Sequence, residues 1–172
     1  LEKHSDSILF KPGEQCSYSN TNYLLLAMIA EKISGQPFAV YMQQHIFKPA
    51  GMRHTSVFSA RSPQANLKNY AKGMAYNIET KNFIDIDDFE TYKYATYFDG
   101  VNGPYGISST TEDLLKWNQA LQNHTLLKRD NFIKAISSDT LSNGKLISRH
   151  HIYQGLGWEF MDSTNNDNKM DF

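Results

Sequence analysis

The sequence predicts a helix-rich α+β domain. A Leu-rich segment after Asn20 carries apolar residues at helical spacing, and Ser109-Thr110-Thr111-Glu112 has the form of a capped helix start. Two short β-forming runs around the polar turn Glu79-Thr80-Lys81-Asn82 add a small strand component.

Taken in order, Phe10-Lys11-Pro12-Gly13-Glu14 reads as a loop, because Pro-Gly marks a turn. Tyr23, Leu26, Ala27, Ala30 and Ile33 then fall on one helical face, the expected buried stripe. Gly35 stands where a helix C-terminus favours glycine. Pro37 suits the first turn of a second helix, with Phe38, Tyr41, Met42, His45 and Ile46 at helical spacing and Pro49 and Gly51 ending it. Residues 56–69 read as loop, 70–76 and 83–87 as strands, and 88–105 as an irregular aromatic stretch holding Tyr92, Tyr94, Tyr97, Phe98 and Tyr105.

The spacing of Ser109 and Glu112 is that of a capping box, and Asp113 adds negative charge where the helix dipole favours it. Leu114, Trp117 and Leu121 form the expected buried stripe of this helix. A shorter helix over 129–136, a hairpin turn at Asn143-Gly144, one strand over 153–160 and a polar loop or hairpin tip over 163–169 complete the chain. The last strand has no obvious partner, and natural domains avoid such an open edge. The expectation is therefore a single partial domain spanning 1–172, truncated at both ends.

The totals narrow the function. A chain of 172 residues suits one domain with a sizeable core. With 40 % hydrophobic residues, 20 % charged residues and a net charge of −1, it is neither a disordered segment nor a nucleic-acid or membrane-surface binder. The single cysteine, Cys16, excludes an intrachain disulfide and a cysteine metal set, and a lone cysteine is more often a small buried residue. No run reaches transmembrane length. His150 and His151 are adjacent, so a strand would point them to opposite faces, and no nearby carboxylate completes a metal site.

Tyr18-Ser19-Asn20 is close to worthless alone, since a Tyr-x-Asn arises roughly once by chance in a chain this rich in both residues. Its surroundings change that. Phe10-Lys11-Pro12-Gly13 precedes it, Tyr23-Leu24-Leu25-Leu26 follows, and then come Glu31-Lys32-Ile33-Ser34-Gly35-Gln36-Pro37-Phe38 and Ile46-Phe47-Lys48-Pro49-Ala50-Gly51-Met52 with Thr55. Two further blocks are the run from Gly103-Pro104-Tyr105-Gly106-Ile107-Ser108 to Trp117, and Tyr153-Gln154-Gly155-Leu156-Gly157-Trp158. In this order and spacing they closely resemble the serine β-lactamase and penicillin-binding protein family, in its class C β-lactamase, D-alanyl-D-alanine carboxypeptidase and esterase branch. The resemblance covers the chain apart from about residues 59–100.

The resemblance implies a β-lactamase/transpeptidase-like fold, of which this chain supplies mainly the helical subdomain plus a returning strand of the α/β domain. It implies acyl transfer through a serine ester, with Tyr18 as general base and acid. A free tyrosine titrates near pH ~10, and lysine ammonium groups in the family's site favour the phenolate. Asn20 would orient the lysine and the substrate amide, and Tyr105 would line the substrate cleft. Two motifs depart from the pattern. No Ser-x-x-Lys precedes Tyr18, and Ser142-Asn143-Gly144-Lys145 spans a turn, so its two side chains would not share a helical face. The family's Lys/His-Ser/Thr-Gly is also missing. His54-Thr55-Ser56 lacks the glycine that lets substrate approach a strand edge, and His54 is expected to be structural.

The expectation is a fragment of a serine hydrolase acting on peptidoglycan stem peptides, β-lactams or small esters. The alternative is a non-catalytic peptidoglycan-binding or regulatory module of the same fold. No cofactor, metal or nucleic-acid partner is implied. A monomer is expected, and relatives of this kind work outside the cytoplasm.

Overall fold

The computed structural model of the chain describes residues 8–59, 69–89, 99–149 and 152–161. It divides into two compact units, one of Ser19–Ala120 and one of Leu1–Tyr18 with Leu121–Phe172.

In the Ser19–Ala120 unit, helix α1 spans Asn20–Ser34 and ends at Gly35, which takes a left-handed conformation. Helix α2, Phe38–Met42, runs into a π-helical turn, Gln43–Phe47. The Glu31 carboxylate accepts the Phe38 backbone N–H at 2.7 Å, so α1 caps the helix that follows it. This reach helps fix which side of α1 faces inward. Ala27 is buried, and Tyr23, Ala30, Glu31 and Ser34 are half-buried on the same side. Two members of the expected stripe are instead exposed, Leu26 at 59 % and Ile33 at 82 %. Two adjacent faces of α1 are apolar, so periodicity alone cannot choose between them; the side from which Glu31 reaches α2 is the one that is buried.

The π-turn also changes the second helix. Its wider i→i+5 bond, from the Lys48 N–H to the Gln43 carbonyl, advances the register and turns Phe47 into the core at 2 % exposure. Of the residues at helical spacing, His45 is exposed, while Tyr41, Met42 and Ile46 are half-buried.

Strand β1, Ser56–Val57, lies in the stretch read as loop and pairs antiparallel with β4, Ile107–Ser108. A two-residue strand in a polar run has no period for a sequence to display. Strands β2, Met74–Asn77, and β3, Asn82–Asp85, form the expected hairpin. Asn77 organises its turn by accepting the Glu79 and Thr80 N–H groups. Of the aromatic stretch, Tyr92, Tyr94, Tyr97 and Phe98 lie outside the described residues.

Helix α3 is Thr111–Gln122. Its cap is Thr110, whose hydroxyl accepts the Asp113 N–H at 3.2 Å, one residue later than the capping-box spacing placed it. The inward face holds Asp113, Ala120 and Leu121, with Trp117 half-buried. Leu114, expected inside, is 53 % exposed. A buried carboxylate occupies the first position of the inward face, and the helix is rotated accordingly.

In the other unit, helix α4, Arg129–Ile136, stands where expected. The run read as one strand over 153–160 is a hairpin. Strands β5, Ser148–Arg149, β6, Ile152–Gln154, and β7, Glu159–Met161, form one antiparallel sheet. The segment Gly155-Leu156-Gly157-Trp158 turns back on itself through the Gly155 N–H to Trp158 carbonyl bond, so β6 finds partners within the chain. Cys16 is exposed rather than buried. It lies in an extended segment with little local packing.

Candidate functional site

The three candidate residues stand on two elements and one connecting segment. Tyr18 is exposed and is the last residue of Leu1–Tyr18. Upstream of it, the Gly13 carbonyl accepts the Ser142 N–H at 2.8 Å, which fastens the Pro12-Gly13 turn to the Asn143-Gly144 hairpin. Ser142 therefore belongs to a turn: Leu141 accepts the Gly144 N–H, and the Asn143 side chain accepts the Lys145 N–H. Ser142 and Lys145 share no helix, as the turn chemistry predicts.

Asn20 opens α1, and Tyr105 lies in the loop that leads into β4. The two are 85 residues apart in sequence, yet the Asn20 Nδ2 donates to the Tyr105 hydroxyl at 2.8 Å. The sequence named both residues but not this bond.

Among the described residues, the contacts that hold the Tyr105 loop include four. Phe58 donates its N–H to the Gly106 carbonyl at 2.6 Å, and the Ser59 hydroxyl donates to Asp99 at 2.9 Å. The third is the bond to Asn20. The fourth is Gly103, at φ 103°, whose backbone lies directly on the main chain of α1 at Tyr23; a Cβ there would overlap the Tyr23 carbonyl. Nothing in the sequence marks Gly103 beyond its place in a Gly-Pro-Tyr-Gly run.

Beneath this loop is a polar hub that sequence reading also missed. The Asp113 side chain is fully buried. One of its oxygens accepts the His54 N–H at 2.6 Å and the Thr55 hydroxyl at 3.0 Å, and the other accepts the Lys116 ammonium at 2.7 Å. Thr55 in turn shares a 2.7 Å bond with Ser109, next to β4. Burial pushes the Asp113 carboxyl upward, but the bonds from Lys116, His54 and Thr55 outweigh it and hold the carboxyl below its ordinary value. His54 is structural through its main chain, and its side chain is exposed. The hub ties the turn after Met52 to the start of α3. The only sequence signal was an Asp at the third helical position, which ordinarily reads as a solvated dipole partner.

A cavity of about 320 Å³ between the π-turn and β1, lined by Ala39, Val40, Gln43, Gln44, Ser56 and Val57, holds none of the candidates and no ionisable side chain. Among the described residues no group of three His, Cys, Asp or Glu could hold a metal ion. No described helix is long and apolar enough to cross a membrane. His150 and His151 lie outside the described residues.

A family model described as Beta-lactamase matches residues 5–169. The chain is 35 % identical over 154 residues to penicillin-binding protein 4* of Bacillus subtilis (strain 168), covering 90 % of this chain and 33 % of that protein. It is 31 % identical over 157 residues to a beta-lactamase of Escherichia coli (strain K12), covering 88 % of this chain and 35 % of the relative. It thus spans about a third of the length of these relatives. Among solved structures, a penicillin binding protein from Bacillus halodurans superposes with a TM-score of 0.69 at 24 % identity, covering 91 % of this chain and 43 % of that one. The D-amino acid amidase from Ochrobactrum anthropi SV3 superposes at 0.65 with 21 % identity, covering 93 % and 44 %. The fold is accordingly β-lactamase/transpeptidase-like, with mixed α and β structure.

Proposed function

The chain belongs to the β-lactamase family of serine hydrolases, and on that premise we propose that it carries the proton-transfer and substrate-orienting portion of an acyl-serine hydrolase. Tyr18 is the general base and acid, Asn20 orients the substrate amide, and Tyr105 lines the cleft. The substrate is an amide or ester: a peptidoglycan stem peptide, a β-lactam or a small ester. The bond between Asn20 and Tyr105 carries this reading, because it joins the Tyr-x-Asn motif to the second block of the family pattern.

The nucleophile is a serine in a Ser-x-x-Lys helix of the longer protein. As its oxygen attacks the carbonyl carbon, Tyr18 takes the hydroxyl proton as general base. The C–N or C–O bond then breaks, and Tyr18 returns the proton to the departing amine or alkoxide. A water attacks the resulting serine ester, giving one proton to Tyr18, and that proton passes to the serine oxygen as the acid is released. The protein works outside the cytoplasm as a monomer and needs no cofactor or metal.

The test is turnover of a chromogenic β-lactam and of a p-nitrophenyl ester. A protein joining this chain to its Ser-x-x-Lys helix hydrolyses at least one, and Tyr18→Phe lowers kcat by about 10²–10⁴-fold. The 172-residue chain alone does not exceed its own Tyr18→Phe control. Turnover by the chain alone above that control would place the nucleophile within it. A longer protein with no Ser-x-x-Lys on a helix would instead support a peptidoglycan-binding or regulatory role.

A further inference from the structure

We infer that Gly103 is a positioning residue for Tyr105: by resting on the main chain of α1 it sets the height at which the Tyr105 hydroxyl meets Asn20. The inference rests on the proposed role of Asn20 and Tyr105 in holding substrate, and it adds the residue that keeps them together.

The Tyr105 loop has its two ends on the 57–59 segment, through Phe58 to Gly106 and Ser59 to Asp99. Those bonds fix where the loop begins and ends but not how close its middle comes to α1. The Gly103 backbone on Tyr23 and the Asn20 to Tyr105 bond both bear on that distance. A Cβ at residue 103 would meet the Tyr23 carbonyl oxygen and carbon, and the Leu24 nitrogen at 3.1 Å. All three are helix main chain and cannot rotate aside.

The loop must therefore lift by about 1 Å to restore ordinary van der Waals contact. A lift of that size, to the extent that it lies along the 2.8 Å bond, opens the Asn20 nitrogen to Tyr105 oxygen distance toward about 3.8 Å, beyond hydrogen-bond range. The positive φ of Gly103 adds strain for any residue with a side chain. The contrast with Gly13 is informative. A Cβ there meets the Ser142 hydroxyl, the end of a side chain that can turn away.

The experiment has two arms. In the full chain labelled with 3-fluorotyrosine, the Tyr105 resonance is identified by its loss in Tyr105→Phe. It should move in Gly103→Ala and in Asn20→Leu. It should stay closer to its native position in Asn20→Asp, whose carboxylate can accept the Tyr105 O–H. A Lys128→Ala control in the other unit should leave it unmoved. In the longer hydrolase, Gly103→Ala should raise KM about tenfold with kcat within about twofold, as loss of uniform substrate binding does. Combined with Tyr105→Ala, it should add nothing further, because Gly103 acts through Tyr105.

A Tyr105 resonance unmoved by Gly103→Ala overturns the inference, whether or not Asn20→Leu moves it, and so do KM losses that add in the double variant. If Gly103→Ala does not fold while Asn20→Leu does, the contact on α1 serves folding and not the height of Tyr105, and the inference fails. The resonance arm needs no turnover. A moved resonance in a protein that hydrolyses nothing upholds the positioning role while the hydrolase reading fails.

Discussion

Replacing Asp113 with alanine should remove about 3–4 kcal/mol of stability. Three donors lose their acceptor in that variant. The His54 N–H makes a charge-assisted bond at 2.6 Å, and leaving such a donor unsatisfied costs roughly 1–3 kcal/mol. The Thr55 hydroxyl is buried but keeps Ser109 at 2.7 Å, so its loss falls near about 1 kcal/mol. The Lys116 side chain is 39 % exposed and rehydrates, contributing at most about 1 kcal/mol. A loss of this size is a large share of the total stability of roughly 5–15 kcal/mol expected for a domain, and should lower Tm by about 10 °C.

Urea unfolding followed by circular dichroism gives the difference from the midpoint at constant slope. The pH dependence supplies an independent check. The carboxyl is held below its ordinary value in the folded protein. The stability it contributes is therefore fully present above the unfolded aspartate pKa of about 3.9, and is lost as pH falls through the lower folded value. The gap between native protein and Asp113→Asn should hold steady from neutral pH down to about 5 and narrow below about 4. A cost under about 1 kcal/mol for Asp113→Ala at pH 7, or a gap that does not narrow in acid, would refute the reasoning.

Two further substitutions test the packing around the site. Phe47→Ala should cost about 3–5 kcal/mol in the same unfolding assay, because the ring is almost wholly enclosed and the π-turn that aims it inward cannot close over the space. Glu31→Ala should cost about 1 kcal/mol and speed amide exchange at Phe38, whose N–H loses its acceptor at the start of α2.

Local rules determined a good deal from sequence alone. Gly35 ends α1, Asn143-Gly144 makes a turn, the polar turn read at Glu79-Thr80-Lys81-Asn82 lies between two strands, and α4 stands over Arg129–Ile136, because each depends on neighbours within a turn or two. The order of the blocks also identified the family and singled out Tyr18, Asn20 and Tyr105. What tertiary structure decided was orientation and meeting. Two adjacent apolar faces on α1 left Leu26 and Ile33 open to either side until α2 was joined to the face that carries Glu31. Asp113 read as a charge favoured by the helix dipole until His54 and Thr55 met it from 58 or more residues away. Asn20 and Tyr105 were two separate candidates until the Gly103 approach brought them to 2.8 Å. A hydrogen bond across 85 residues leaves no period, cap or turn signal in a sequence, because its partners share no local geometry; only the folded chain brings them together.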